Sequence, residues 1–354
     1  MAITKNPMKN GLNPEDYISG NPEPVLALLA HCPAHQQTVL HDHTDLAVAF
    51  GVDKIWIKDE STRMGIGSFK ALGASYVLAH KAMQACPDGG DMSTALKGQS
   101  FLASSAGNHG LSLAAGARLF GATATIYLSQ SVPEGFAERL RNIGAEVVRH
   151  GDVYEESLEK AMADAEAGKG ELISDTSWPG YHDIPRRIME GYLVMGAEAT
   201  DVLDANGDVP THVFVQTGVG GLSAAMARWC RKHFGDAVII ISVEPEEARP
   251  MQLSLEAGGL THADGGVSIM GRLDCKDASE LAFHALSSDL DFAMTISEEE
   301  SAATTLLLKS HGLNSTPSGI AGVSGLHHMD DDSRAFVGLT KDSRVLTFLS
   351  EGAE

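Results

Sequence analysis

Lys70 lies at the end of Gly65-Ile66-Gly67-Ser68-Phe69-Lys70. The two glycines let the backbone take conformations closed to other residues and let a ligand come close. Ser68 is a good helix N-cap, and the apolar residues Phe69, Leu72, Tyr76, Val77 and Met83 recur at roughly helical spacing. This predicts Lys70 on the first turn of a helix, where the positive helix end favours a neutral amine. A desolvated, neutral amine is what Schiff-base chemistry requires. Taken alone, the stretch also fits a solvated surface lysine. Two later stretches carry chemistry of their own. Ser104-Ser105-Ala106-Gly107-Asn108-His109-Gly110 follows the apolar run Phe101-Leu102-Ala103, and Gln216-Thr217-Gly218-Val219-Gly220-Gly221-Leu222 follows Val213-Phe214-Val215. Glycines at a strand-to-helix turn let several N–H groups point into one space, and the helix end adds positive charge, so Gly218 to Leu222 read as a phosphate site. A dinucleotide fingerprint is disfavoured, because G-V-G-G-L lacks the G-x-G-x-x-G spacing. Asn108 is also an ordinary helix-start residue, and His109 also fits a purely structural role.

These residues need strand ends and helix starts to hold them. Val52–Ile57 has strand character and feeds the lysine loop. A βαβ alternation follows: strand Phe101–Ala103, helix Asn108–Phe120, strand Ala122–Leu128, helix Pro133–Asn142, strand Ala145–Arg149, helix Tyr154–Ala167 and strand Leu172–Ser174. Pro133 starts its helix and Gly144 ends it. Beyond lie a long helix Ile184–Leu203, strands Val213–Gln216, Val238–Glu244, Ala293–Ile296 and Val345–Leu349, and helices Leu222–His233, Ala278–Leu286, Glu298–Ser310 and Gly319–His328. Repeated βα units imply parallel sheets flanked by helices, an α/β fold. The expected division is residues 1–79 with 179–354 as a large domain and 80–178 as a smaller one. Residues 86–100 read as a loop, Asn21–Leu29 as a short helix, and Asp330-Asp331-Asp332 as a solvated acidic turn.

The chain of 354 residues is 43% hydrophobic and 21% charged, which reads as soluble and globular. A net charge of −21 argues against nucleic acid as partner and against anionic membrane surfaces, not against an anionic cofactor bound by backbone amides. Four cysteines with no CxxC spacing point to a reducing, cytoplasmic setting. The N-terminus lacks a signal-peptide core, and no apolar run reaches the roughly 18 residues of a membrane span. No metal-ligand spacing stands out.

Together the lysine stretch, Ser104–Gly110 and Gln216–Leu222, in this order and spacing, resemble the tryptophan-synthase-β-like (fold type II) family of pyridoxal-phosphate enzymes. The resemblance implies a two-domain fold, pyridoxal 5'-phosphate as cofactor and a homodimer. It implies Lys70 as the cofactor-linked lysine and base, Asn108 against the ring hydroxyl, and Gly218, Val219, Gly220, Gly221 and Leu222 around the phosphate. Ser105, Ala106 and Gly107 would take the substrate carboxylate, with His109 as a further substrate contact. Ser350, at a strand end, would face the pyridine nitrogen. An unprotonated pyridine is a weaker electron sink than a pyridinium paired with a carboxylate, which favours elimination over transamination.

Within that family, Asp175-Thr176-Ser177-Trp178-Pro179-Gly180-Tyr181, the stretch Lys58-Asp59-Glu60-Ser61 with Arg63, and Ser350-Glu351-Gly352 resemble diaminopropionate ammonia-lyases. That subgroup has an aspartate, implicated as a second base on the opposite substrate face, two positions before the cofactor asparagine. Here Ala106 stands there, as in threonine dehydratases, which prefer L-amino acids. Alanine cannot accept a proton, which puts processing of D-substrates in doubt. Asp175 is then the candidate partner for a β-amino or β-hydroxyl group. The expected reaction is elimination from a small amino acid, 2,3-diaminopropionate giving pyruvate and ammonia. A serine, threonine or 3-hydroxyaspartate dehydratase is the alternative. A cofactor-binding protein without turnover and a nucleotide-binding oxidoreductase are the readings from other classes.

Overall fold

The computed structural model describes residues 2–9, 17–32, 34–87 and 90–353. Its strands in chain order are β1 (Ile3–Lys5), β2 (Leu40–Asp42), β3 (Lys54–Asp59), β4 (Ser100–Ser104), β5 (Thr123–Leu128), β6 (Glu146–Arg149), β7 (Glu171–Leu172), β8 (His212–Gln216), β9 (Ile239–Pro245), β10 (Phe292–Ile296) and β11 (Arg344–Leu349). One sheet has the order β1-β10-β9-β8-β11-β3-β2, the other β6-β5-β4-β7. Both are parallel inside, with short antiparallel strands β1 and β2 closing the larger one.

Every residue of β8 and of β10 is buried. A strand reads that way when both sheet faces are covered. Alternate side chains enter different cores: Val213 and Val215 pack on one face, Phe214 on the other. The fold is thus the expected α/β arrangement of parallel sheets flanked by helices. The anticipated division at residue 80 falls within the helix Ala74–Ala85, and that at 178 within the turn where Trp178 pairs with Tyr181.

The helix Asp183–Asn206 backs the lysine segment and ends at Gly207 in the left-handed conformation (φ 70°). At its middle a Cβ on Gly191 would stand 2.1 Å from the Leu72 carbonyl oxygen, so only glycine admits the crossing. The same packing breaks the helix expected from Phe69 onward. Phe69–Leu72 is a short 3₁₀ turn, and the α-helix begins at Ala74. Gly73 lies between them, where a Cβ would meet Tyr192 at 2.8 Å. The acidic turn also differs: Asp330 caps a helix, Asp331–Val337, by accepting from Ser333 N at 2.8 Å. Strands β1 and β2 and the helices Thr44–Phe50 and Pro250–Ala257 escaped the sequence reading. Elements this short carry little periodicity.

Candidate active site

The lysine loop is held from two sides. Below it, Arg63 is fully buried and donates to Glu60 (2.7 Å) and to both carboxylate oxygens of Glu198 (2.8 and 2.6 Å). Lys58 reaches the same Glu198 oxygen at 2.6 Å. Beside the loop runs the end of β11: Phe69 N donates to Ser350 O (3.0 Å) and Gly352 N to Gly67 O (2.9 Å). Gly65 and Gly67 take φ of 70° and 77°, left-handed values that glycine adopts freely. These bonds bring the Ser350 segment, 280 residues later in sequence, alongside Lys70.

Lys70 Nζ lies 2.5 Å from Asp175 Oδ2. Burial opposes the lysine charge, but the Asp175 carboxylate outweighs it and holds the amine well above its ordinary value. Burial likewise opposes ionisation of Asp175, and Lys70 with His109 nonetheless holds its carboxyl well below the usual range. A carboxylate thus stands against the amine that the local sequence led us to expect neutral. The four-residue 3₁₀ turn offers little helix dipole, and a carboxylate sits at contact distance.

Asp175 owes its place to its neighbours. Tyr181 stacks on Trp178 with centroids 4.5 Å apart, and its hydroxyl donates to Leu172 O and accepts from Ser174 N. Ser177 Oγ pairs with Ser279 Oγ at 2.7 Å, and Ser279 N donates to Val219 O at 2.8 Å. The Asp175 turn is thereby tied to the Gly218–Leu222 loop.

That loop precedes the helix Gly221–Phe234. Gly220 takes φ 105°, and a Cβ there would meet Met251 Cε at 2.6 Å; one on Gly218 would stand 3.3 Å from Arg272 O. Only glycine fits at Gly220, and the helix start that follows offers its amides as a cradle suited to a phosphate. Gly221 approaches Tyr192, whose ring is 5.7 Å from Lys70 Nζ. A phosphate cradle and an amine beside the same tyrosine fit pyridoxal phosphate, whose aldehyde and phosphate-bearing methylene stand on neighbouring carbons of one ring.

Facing them, the helix Asn108–Leu119 is capped by Gly107, and its first amides are served by Ser105 Oγ, which accepts from Gly107 N and Gly110 N. Asn108 is thus released from capping, and its Nδ2 donates to Glu351 Oε2 at 2.6 Å. His109 Nε2 donates to Ile173 O at 2.8 Å, which anchors the ring beside the Asp175 segment. Ala106 is exposed, and Ser350 is buried at the end of β11.

Five neighbours escaped the sequence reading. Tyr192 and Tyr154 flank the lysine and aspartate, and burial raises the Tyr192 phenol. Burial, then Asp175, pushes the Cys275 thiol up to about 12. Arg272 and Glu351 lie beyond Asn108. Of these, only Glu351 stood inside a stretch with a recognisable pattern. Among the described residues no cluster of His, Cys, Asp and Glu is arranged to hold a metal ion.

The family of pyridoxal-phosphate-dependent enzymes matches residues 32–351. The chain belongs to that family. Its relatives include a diaminopropionate ammonia-lyase of Escherichia coli K12, 29% identical over 328 residues, 87% of this chain and 82% of the relative. An L-threonine ammonia-lyase of Thermotoga maritima is 27% identical over 255 residues, 72% of this chain and 58% of the relative. The crystal structure of the Escherichia coli diaminopropionate ammonia-lyase with an aminoacrylate–PLP azomethine intermediate superposes with a TM-score of 0.90. It is 27% identical, with 99% of this chain and 93% of that chain covered. The fold is that of the fold type II pyridoxal-phosphate enzymes.

Proposed function

We propose that this pyridoxal-phosphate enzyme is an ammonia-lyase for a small β-substituted amino acid, converting 2,3-diaminopropionate and water to pyruvate and two ammonia. The observation that carries the reading is Asp175 Oδ2 at 2.5 Å from Lys70 Nζ, a carboxylate placed where a β-amino group would arrive. Bound pyridoxal phosphate supplies an electron sink for the α-carbon. Asn108 would hold the ring hydroxyl, Ser350 the pyridine nitrogen, and Gly218 to Leu222 the phosphate. The turn of Ser105, Ala106 and Gly107 receives the substrate carboxylate, and His109 orients the Asp175 segment from behind. Lys70 accepts the α-proton. The Cα–H electron pair forms the Cα–Cβ double bond as the β C–N bond breaks, and Asp175 holds the β-ammonium that leaves as ammonia. Water hydrolyses the released enamine to pyruvate and the second ammonia. Residues 1–79 and 179–354 form the cofactor domain and 80–178 the smaller one, in a cytoplasmic homodimer.

A serine, threonine or 3-hydroxyaspartate dehydratase is the second reading, favoured by Ala106, which leaves one face of the substrate without a base. Absorbance of the purified protein, with ammonia release from L- and D-2,3-diaminopropionate, tests both. A visible band absent in Lys70→Ala, with rapid release from the L-isomer, supports the lyase. A band with release only from hydroxy-amino acids moves the assignment to the dehydratase. Cofactor retained with no release from any small amino acid leaves a binding protein, and absence of the band after adding cofactor overturns the whole reading.

A further inference from the structure

Glu351 is only 4% exposed, yet it is surrounded by donors. Its Oε2 accepts from Asn108 Nδ2 at 2.6 Å and lies 3.6 Å from Arg272 Nε. Its Oε1 accepts from Thr316 Oγ1 at 2.5 Å, and its carbonyl from Ser315 Oγ at 2.5 Å. Gly319 leaves the room, since a Cβ there would stand 3.0 Å from Glu351 Cγ. A carboxylate so served is placed among donors as an acceptor.

An asparagine side chain can turn either its oxygen or its NH₂ toward a neighbour. A carboxylate neighbour decides the choice, because two oxygens facing each other would repel. Asn108 is therefore fixed with Nδ2 toward Glu351. One amide hydrogen is used there, and the second is left for another acceptor.

We propose that Glu351 is a positioning residue that locks the Asn108 amide so that its second N–H meets the ring-hydroxyl oxygen of the cofactor. The inference rests on Asn108 facing that oxygen, as in the proposed function. Asn108 then bridges two anionic oxygens, and Arg272 beside Glu351 offsets the added negative charge. Loss of the lock lets the amide turn over, so that its oxygen faces the ring oxygen and the anionic ring form is disfavoured.

The test compares wild-type holoenzyme with Glu351→Gln, Asn108→Ala and the double variant. Two quantities are read: the ratio of visible to near-ultraviolet absorbance of the bound cofactor across pH, and the cofactor dissociation constant. A hydrogen bond to a charged group leads us to expect binding about tenfold weaker in Glu351→Gln. The visible share should fall as it does in Asn108→Ala, with no further change in the double variant. Partial recovery in Glu351→Asp, which keeps the charge but withdraws it by one methylene, agrees with the lock; should Glu351→Gln fail to fold, Glu351→Asp decides on the same readouts. If Glu351→Gln keeps the wild-type spectrum and affinity, or adds to Asn108→Ala independently, while Asn108→Ala alone changes both, the lock is wrong and the placement of Asn108 stands. If Asn108→Ala changes neither quantity, the placement of Asn108 itself falls.

Discussion

Lys70 Nζ and Asp175 Oδ2 stand 2.5 Å apart across 105 residues of sequence, the tightest contact between the lysine loop and the Ser174–Tyr181 turn. Both side chains keep some access to solvent, 23% and 20% exposed, so a small substrate can part them. Their proximity makes two demands of Asp175: it balances the lysine before substrate arrives and meets the β-substituent afterwards. Asp175→Asn should keep the cofactor band while kcat/KM for diaminopropionate falls by about 10²–10⁴. The stability effect has a definite sign. Asp175 is held below the ordinary carboxylate range, so its contribution is present above about pH 4 and lost as pH falls through the depressed value. Denaturant melts of the cofactor-free proteins should therefore show a wild-type advantage at neutral pH that shrinks in stronger acid.

Ala106 stands beside the Ser105–Gly107 amides with a methyl group that can neither take nor give a proton. Ammonia release should be confined to the L-isomer. Ala106→Asp, which restores a carboxylate on the other substrate face, should bring measurable release from the D-isomer. Equal rates for both isomers in the wild type would remove Ala106 as the cause of selectivity.

The Arg63–Glu198 pair shares its site with Glu60, Lys58 and Thr38, all buried. Burial opposes ionisation of Glu198, and Arg63 nonetheless lowers its pKa. Removing one partner strands a charge in the interior. Glu198→Ala or Arg63→Ala should lose about 3–5 kcal/mol in urea unfolding. Because the network lies directly under the lysine loop, the surviving protein should also release cofactor faster.

His327 stacks on Phe50 (centroids 4.7 Å) and shares Thr304 Oγ1 with His328. Burial, then the His328 imidazole, lowers its pKa from 6.5 to about 4. The unfolded chain takes this proton first, so folded-state stability should decline as pH falls from about 6.5 to about 4. His327→Gln should flatten that slope in melts at pH 7.5 and 5. An unchanged slope would assign acid sensitivity to other groups.

Much of the fold was legible because the βα units are long and strongly patterned. Helix Glu298–Ser310 lies between the residues where it was expected, opened by Ser297 and its acidic first turn. The lysine helix was misread because periodicity cannot see Gly73 pressed against Tyr192, a partner more than a hundred residues away. Asn108 likewise fits a helix cap in sequence, and only the presence of Ser105 Oγ beneath Gly107 N and Gly110 N frees its amide for Glu351.

By itself the sequence determined which groups are available: an amine at Lys70 after a glycine turn, glycines at Gly218 and Gly220 that keep a helix start bare, and an alanine where a second base would stand. Those are properties of residue type and local spacing, set by the backbone freedom of glycine and the chemistry of single side chains. The tertiary structure alone decided which groups meet. It set Asp175 against Lys70, overruling the local expectation of a neutral amine, because a carboxylate at contact distance outweighs both burial and the field of a four-residue turn. It also set Glu351 against Asn108, because the segments that follow β11 in one sheet and β4 in the other meet at the site.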